Sequence, residues 1–246
     1  MYTDKFLSVS TDQTLTSGQT VIVSTDTVDL AVARDIGEGR TMYAVANITE
    51  EPVNQSTTAV SGFTATDVGN IIAKNAHGLV NGLAIKFATL SQACGLNVGT
   101  TYYVVTAQAN DFQVALAPGG TPEPISADAT ATLYFAPGNM YIQAITATNA
   151  ALTTGVQVVA QSDAVEGFAL KDTIGQKQGY TFTVKLSPLV SGNTDATASQ
   201  GNLGARYLGL RYVAGAGTFT GHKVTGLFTT DMQDGRKAYT SGFTVV

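Results

Sequence analysis

The stretch that decides the fold runs from residue 205 to residue 243 and reads ARYLGLRYVAGAGTFTGHKVTGLFTTDMQDGRKAYTSGF. In its first part, residues 206–213, every second side chain lies on the same side of the chain, and one of the two sides is suited to a core. Those on one side are Leu208, Leu210 and Tyr212, and those on the other are Tyr207, Gly209 and Arg211. Because neighbouring side chains of a strand point to opposite faces, this period of two predicts a β-strand with one buried face.

A second strand is predicted directly after the first. Gly215-Ala-Gly217 breaks the alternation, and glycine adopts the backbone angles that tight turns require. The alternation then resumes, with Val224 and Phe228 on one side of the chain. We therefore predict that residues 215–223 form a hairpin turn between two paired strands. Hairpins in series build antiparallel sandwiches and jelly rolls.

The rest of the chain shows the same strand pattern, and no segment shows the 3.6-residue period of a helix. Further strands are predicted at residues 20–24, 28–32, 41–48, 140–146, 155–159 and 180–186, with a strand-like tail at 241–246. In the clearest of them Tyr180, Phe182, Val184 and Leu186 are expected to be buried. Residues 34–39 and 192–204 have the composition of a turn and a loop. The polar segment 1–20 is either a frayed terminus or an arm that adds a strand to a partner's sheet.

An insertion interrupts the predicted sheet. In a plain jelly roll, the strand at 41–48 would turn within a few residues and pair with the strand at 140–146. Residues 55–138 intervene, although hairpin loops usually have about two to five residues. The insertion has strand patterns of its own at residues 83–87, 101–106 and 111–116. We therefore predict an all-β chain in which residues 1–54 and 139–246 form a jelly-roll-like antiparallel β-sandwich, and residues 55–138 form a small β domain inserted in a hairpin.

Composition excludes several classes of function. Charged residues make up 13% of the chain, against roughly a quarter in an average domain, and the formal net charge is −5. A nucleic-acid-binding protein would show a basic face, but the 13 Lys and Arg residues are scattered. We therefore expect neither nucleic acid nor membrane as a partner, since no apolar run is long enough to span a bilayer. The N-terminus does not resemble a signal peptide, which predicts synthesis in the cytoplasm without secretion.

Few residues suit catalysis or metal binding. Neither His77 nor His222 has a histidine, cysteine or acid at the spacing of a metal site, and no Gly-x-Ser-x-Gly motif is present. Cys94 is the single cysteine, so no intrachain disulfide forms. It could pair with His77 as a nucleophile and base, but a small core residue is the expected role because no sharp motif surrounds it. Residues 215–223 resemble a phosphate-binding loop only superficially, since His222 follows the last glycine where lysine is required.

The acidic residues give no stronger signal. The closest groups are Asp26 with Asp29, Glu50 with Glu51, and Asp231 with Asp234. A glycosidase needs two carboxylates facing each other across a cleft, and the chain has no tryptophan to line a sugar site. Calcium is a weak alternative for residues 231–235 because two acids rarely bind it tightly. We therefore expect no enzyme activity, no cofactor, and no catalytic or metal-binding residue.

Several motifs together resemble a known family. RYLGLRY at residues 206–212, the glycine turn after it and TDMQDG at 230–235 are similar to the capsid cement (decoration) proteins of short-tailed phages. RDIGEG at 34–39 and NAAL at 149–152 agree, and the match covers residues 1–54 and 139–246 in order. The resemblance implies a jelly-roll-like protein on the outer face of a capsid, with no catalysis. Its partners would be the major capsid protein and other copies of itself, as a dimer or trimer.

The insertion has a resemblance of its own. AHGLVNG at 76–82, GTTYYVV at 99–105 and DFQV at 111–114 are similar to a small β module that recurs in phage tail, fibre and surface proteins. This resemblance leaves an alternative function open, a receptor- or glycan-binding module, with Tyr102 or Tyr103 as the stacking residue. A carbohydrate-active enzyme is the third hypothesis. The prediction is a virion protein that stabilises a capsid from outside, with the insertion projecting outward.

Overall fold

A computed structural model of the chain describes residues 7–30, 42–50, 59–170, 179–186 and 205–229. Their regular structure consists of sixteen β-strands and one short 3-10 helix, Gly167–Leu170. The strands, in chain order, are β1 (Ser8–Thr14), β2 (Val21–Val23), β3 (Val28–Asp29), β4 (Tyr43–Glu50), β5 (Val60–Thr66), β6 (Ile71–Ala73), β7 (Ala84–Leu90), β8 (Thr101–Val105), β9 (Asp111–Ala115), β10 (Ala129–Ala136), β11 (Asn139–Ala147), β12 (Gln157–Gln161), β13 (Val165–Glu166), β14 (Thr181–Lys185), β15 (Tyr207–Ala216) and β16 (Lys223–Thr229). The all-β prediction is confirmed.

Two antiparallel sheets form a sandwich. The first has the order β1-β16-β4-β14 and the second the order β12-β11-β15-β2, with β13 beside β11 and β3 beside β15. Going along the chain, β1 lies in the first sheet, β2 in the second, β4 in the first, β11 and β12 in the second, and β14 to β16 alternate again. This alternation between the two layers, one of four strands and one of six, is the jelly-roll arrangement. The predicted jelly-roll-like sandwich is therefore the observed fold.

The predicted hairpin of β15 and β16 is wrong, because the two strands lie in opposite sheets. β15 also continues through Gly215 to Ala216, and the turn begins only at Gly217, where φ is +74°. Residues 217–222 cross from one layer to the other, and Phe219 is fully buried on the way. A sequence alternation identifies a strand and its buried face, but it does not identify the neighbouring strand. A short glycine-rich link can therefore join two layers as well as two paired strands.

The predicted place of the insertion is wrong for the same reason. β4 pairs with β14 and β16, and β11 pairs with β12, β13 and β15, so β4 and β11 are not hairpin partners. The insertion therefore lies in a connection that crosses between the layers. The N-terminal segment was predicted to be a frayed terminus or an arm on a partner's sheet. Its residues 8–14 are neither, because they pair as β1 with β16 of the same chain. The predicted elements at 34–39, 192–204 and 241–246 lie outside the described residues.

Strands β5 to β10 close into a six-stranded barrel with the order β10-β5-β6-β9-β8-β7. All six lie within the predicted insertion, residues 55–138, and their buried side chains form a core separate from that of the sandwich. Phe63, Phe87 and Phe112 are among the largest side chains in this core. The predicted strands correspond to β7, β8 and β9, whereas β5, β6 and β10 were not foreseen.

The barrel packs against one end of the sandwich through close backbone contacts. A side chain on Gly138 would lie 2.3 Å from the carbonyl oxygen of Gly82, and one on Gly82 would lie 2.6 Å from the amide nitrogen of Gly217. Gly138 also donates its amide to the carbonyl of Ala216, at 2.8 Å. At this boundary only glycine allows the two backbones to approach so closely.

Side-chain contacts add to this boundary. The Thr101 hydroxyl on β8 donates to a carboxylate oxygen of Glu166, at 3.0 Å, in the sandwich. The Lys86 ammonium lies 4.6 Å from the centre of the Phe168 ring. These contacts fix how the barrel docks on the sandwich, so it is not merely attached through the chain.

Tyr212 connects the two layers of the sandwich. Its side chain extends from β15 across the core, and its hydroxyl donates to Ser10 Oγ of β1 at 2.8 Å. The space beyond it is available because β16 has glycine at position 226, where a Cβ would lie 2.3 Å from the Tyr212 hydroxyl. Burial raises the pKa of Tyr212 well above its ordinary value, so the hydroxyl keeps its proton and remains a donor. Leu208 and Leu210 pack in the same core.

We predict that Gly226→Ala lowers the free energy of unfolding by about 1–3 kcal/mol, because the new methyl group overpacks the core against Tyr212. Tyr212→Phe alone should cost about 1 kcal/mol through the lost hydrogen bond. Together the two substitutions should cost less than their sum, since removing the hydroxyl relieves the closer of the methyl group's two tight contacts and leaves the one with Leu210 at 2.6 Å. Chemical denaturation of the four proteins measures this coupling.

Tyr207→Phe is the matched control, because Tyr207 is on the same strand and packs against a different cluster, on the other face of the sheet. It should show no coupling with Gly226→Ala. Additive costs for Tyr212→Phe and Gly226→Ala would contradict the packing described here.

Candidate functional site

His222 is a core residue and not part of a reactive group. It is fully buried, its Nε2 lies 3.4 Å from the sulfur of Met140, and its ring meets Phe219 edge-on at 5.6 Å. Its Nδ1 has no hydrogen-bond partner among the described residues. Burial lowers the pKa of His222 to about 4, so the ring is neutral at pH 7. No acid in the described part of the chain bonds to the ring, so the arrangement of a general base oriented by a carboxylate is not found there.

His77 organises a turn of the barrel. Its Nδ1 accepts a hydrogen bond from the amide of Leu79 at 2.9 Å, which places the proton of a neutral ring on Nε2. Nε2 lies 3.2 Å from the carbonyl oxygen of Asp111, to which it donates. Both nitrogens are thus bonded to the backbone, and the ring packs edge-on against Phe112 at 5.1 Å. The expected turn position is correct, and the side chain holds that turn against β9.

Cys94 belongs to the barrel core, as expected for a small core residue. It is fully buried, and its carbonyl accepts the amide of Ser126 at 2.9 Å. The side-chain hydrogen bonds of His77 go to Leu79 and Asp111, so no hydrogen bond joins the histidine to the thiol. A nucleophile needs access to substrate and an adjacent base. The arrangement provides neither.

The two tyrosines proposed as stacking residues differ in burial. Tyr102 is buried, its hydroxyl accepts the amide of Asn97 at 3.0 Å, and its ring meets Phe87 edge-on. Tyr103 is half-buried, and burial together with the nearby Glu166 carboxylate raises its pKa. Tyr103 therefore lies towards the contact between barrel and sandwich. The Tyr102 ring therefore offers no open face on which a sugar could stack, whereas Tyr103 is partly exposed beside that contact.

The acidic pairs give no catalytic dyad in the described residues. Asp29 forms an ion pair with Arg206, whose Nη2 lies 2.8 Å from Oδ2 and whose Nε also reaches the carboxylate. Asp26 is an exposed neighbour whose amide bonds to the carbonyl of Val9. No group of three or more metal-ligating side chains occurs in the described part of the chain. The pair Asp231 and Asp234, with the calcium alternative at 231–235, lies outside it.

A shallow groove lies on the outside of the barrel, across β5, β10 and β7. Its volume is about 520 Å³, and most of its wall consists of hydroxyl-bearing side chains. These are Ser61, Thr64, Thr89, Ser91, Thr130 and Thr132. The strand registers shift on both sides of β10 near Ala131, and Gly62 has a φ of +86° on β5. Such irregularities bend strands apart locally, which accounts for the groove.

No charged side chain lines the groove itself, although one lysine lies beside two of its lining residues. The Thr89 and Thr132 hydroxyls are hydrogen-bonded at 2.7 Å, and Thr64 faces Thr130 in the strand register. Lys74 lies 4.4 Å from the centre of the Phe63 ring and donates to the carbonyl of Ser61. Sequence reasoning missed this surface. The available signal was the alternation of Thr with Ala at residues 64–66 and 129–132, in the two strands that the sequence analysis did not predict.

Comparisons of the chain with family models, with curated proteins and with solved structures give no match. Among the described residues there is no helix with the length and apolar character needed to cross a bilayer.

We predict that acid destabilises the protein through His222. The folded state holds the ring neutral down to about pH 4, whereas an unfolded histidine takes up a proton near pH 6.5. The unfolded state therefore binds more protons between these values, and the free energy of unfolding falls as the pH is lowered through that range. The stabilisation that comes from keeping His222 neutral is fully present above pH 6.5. About 3 kcal/mol of it is lost when the pH reaches 4.

Denaturation at several pH values should show that the free energy of unfolding of the natural chain falls between pH 6.5 and pH 4. The slope should be smaller in His222→Leu, which has no titrating group at this position. Carboxylates titrate in both proteins, so the difference between the two slopes isolates the histidine. Equal slopes would show that His222 is not held neutral in the core.

Proposed function

We propose that this protein is a virion structural protein that binds the outer surface of a phage capsid. There it would stabilise the shell by bridging neighbouring subunits of the major capsid protein, without catalysis. The single observation that supports this best is where the resemblance motif lies in the fold. Residues 206–212 of that motif belong largely to β15, an internal strand of a jelly-roll-like sandwich, which is the fold that the resemblance implies.

The described residues favour binding over chemistry. The two histidines and the cysteine are bonded to backbone or packed in cores, and Asp29 is paired with Arg206. The outer surface is polar with few charges, since only 13% of all residues are charged. Such a surface suits broad contacts made of hydrogen bonds and small apolar patches.

Bridging stabilises a shell by linkage. A protein that binds only where two subunits meet adds free energy to the assembled state and none to the separated subunits. Several weak contacts on one particle reinforce each other because the first raises the effective concentration of the next. A rigid sandwich with a docked barrel transmits load better than a flexible arm would. A net charge of −5 also suits the exterior, away from the genome.

We predict that the purified full-length chain co-sediments with expanded capsids of the phage that encodes it and saturates at a fixed number of copies per shell. It should also raise the temperature at which those capsids come apart in a thermal melt. An unrelated β-sandwich of similar net charge serves as the control. Failure to bind both expanded and unexpanded capsids would refute the proposal.

A second function is favoured by the groove on the barrel, namely binding of a neutral glycan on the host surface. The groove offers hydroxyl groups from three strands and no carboxylate, which suits an uncharged polyol. It has no exposed aromatic platform, since Phe63 at its floor is 2% exposed. Affinity would therefore come from hydrogen bonds, and would be modest.

We predict that a glycan array probed with the full-length chain gives neutral glycans as its strongest ligands. The double variant Thr64→Val and Thr130→Val should bind them about tenfold more weakly, because valine keeps the shape and loses both hydroxyls. Thr14→Val is the control, since Thr14 is an exposed threonine on β1 of the sandwich. Equal binding by all three proteins, or no glycan bound at all, would exclude the groove as a glycan site.

A further inference from the structure

Within the described ranges, no strand pairs with the outer edge of β14 in the first sheet. β14 pairs with β4 in unbroken register, from Thr181 opposite Asn47 to Lys185 opposite Tyr43. Just before the strand, the carbonyl of Tyr180 accepts the amide of Ile48 at 3.0 Å, and just after it Leu186 donates to Met42 at 2.9 Å.

Along each strand of an antiparallel pair, every second residue directs both its amide and its carbonyl at the neighbouring strand. The residues between them direct both groups away from that strand. Since positions 180 and 186 bond to β4, the even-numbered residues of β14 face β4. The odd-numbered residues Thr181, Thr183 and Lys185 therefore direct their amides and carbonyls away from the sheet. All three side chains are exposed, and no described strand pairs with β14 on this side.

The other edges of the two sheets have features that hinder pairing with a further strand. β1 has two register shifts against β16, and the carbonyl of its Val9 is already bonded to Asp26. β2 has three residues, and Gln13 donates its side-chain amide to the carbonyl of Val23. β12 has a register shift against β11. Bulges and short strands are common means of preventing edge pairing. β14 has neither within its five residues.

We propose that a second copy of this chain pairs with β14 through its own β14, antiparallel, with a two-fold axis at Thr183. Thr183 then faces Thr183 of the other copy, and Thr181 faces Lys185 at both ends. This register gives all three outward residues a partner and forms about six backbone hydrogen bonds. The two four-stranded sheets become one continuous eight-stranded sheet.

The side chains of β14 are compatible with self-pairing. The only charge on the strand, Lys185, faces threonine and not a second lysine, so no like charges oppose each other across the axis. On the exposed face the two Thr183 side chains form a cross-strand pair of a kind that stabilises sheets. On the inner face Phe182 lies opposite Val184, which extends the apolar row of the core across the axis. An isologous contact of this kind closes as a dimer.

The dimer does not depend on capsid binding, because it forms in the free protein. Sedimentation velocity of the full-length chain should show a particle of about twice the monomer mass of 25.4 kDa. Thr183→Pro should convert it to a monomer, since proline removes the central outward amide while leaving the bonds of β14 to β4 intact. Thr183→Val keeps that amide and should remain a dimer. Circular dichroism and thermal melting verify that both variants fold.

A cysteine scan tests the register itself. In a hydrogen-bonded antiparallel pair the facing Cα atoms lie about 5.5 Å apart, within the span of a disulfide. Thr183→Cys should therefore give a covalent dimer under mild oxidation. Thr181→Cys should not, because its counterpart lies about four residues further along the paired strand, or roughly 13 Å away. The natural cysteine, Cys94, is fully buried in the barrel core and does not compete.

Three outcomes overturn the proposal. A monomer at micromolar concentrations with no disulfide from Thr183→Cys shows that the edge does not pair with itself. A dimer that survives Thr183→Pro places the self-association on another surface. A monomer that binds capsids and loses that binding in Thr183→Pro assigns the edge to a strand of the shell protein.

Discussion

The fold depends on the contact that Tyr212 makes across the sandwich. β15 has Leu208, Leu210 and Tyr212 on one face, and all three are fully buried against the opposite sheet. The tyrosine ring fills the space left by Gly226, and its hydroxyl ends on Ser10 in a strand that lies far away in the sequence. One side chain thus fixes the spacing of β15, β16 and β1. Burial of large side chains supplies most of the favourable free energy of such a core, at about 1.5–3 kcal/mol each.

Much of this fold could be predicted from periodicity. The alternation in β15, β16, β14 and β4 gives both the strands and their buried faces, because one face of each meets the core. The pairing could not be predicted, since a period of two carries no information about the neighbouring strand. The links that were interpreted as hairpins therefore turned out to cross between layers. β5 and β10 were missed because Ala, and in β5 also Ser and Gly, are interspersed with the β-branched and aromatic residues and weaken the strand signal. Tyr180 was expected in the core and is 40% exposed, because it lies beyond the end of its strand.

For the candidate sites, too, some features could be predicted from the sequence and others could not. Histidines, cysteine and acids could be judged from the sequence as lacking a motif, and the described geometry gives the two histidines, Cys94 and Asp29 structural roles. The hydroxyl groove and the open edge of β14 could not be predicted, because each depends on which strands become neighbours and which main-chain groups they leave unpaired. These are properties of topology and not of any residue type. The functions proposed here accordingly rest on surfaces: the sandwich for the shell, the barrel for a host ligand and β14 for a second copy.

The central claim is that this chain stabilises a phage shell by lying across the contacts between shell subunits. A cryo-electron microscopy reconstruction of the particle that carries it tests this most directly. The account predicts density for a two-layered β-sandwich on the outer face of the shell, in contact with at least two copies of the major capsid protein. Density for the chain in the tail or inside the shell, or none on the particle, would contradict it.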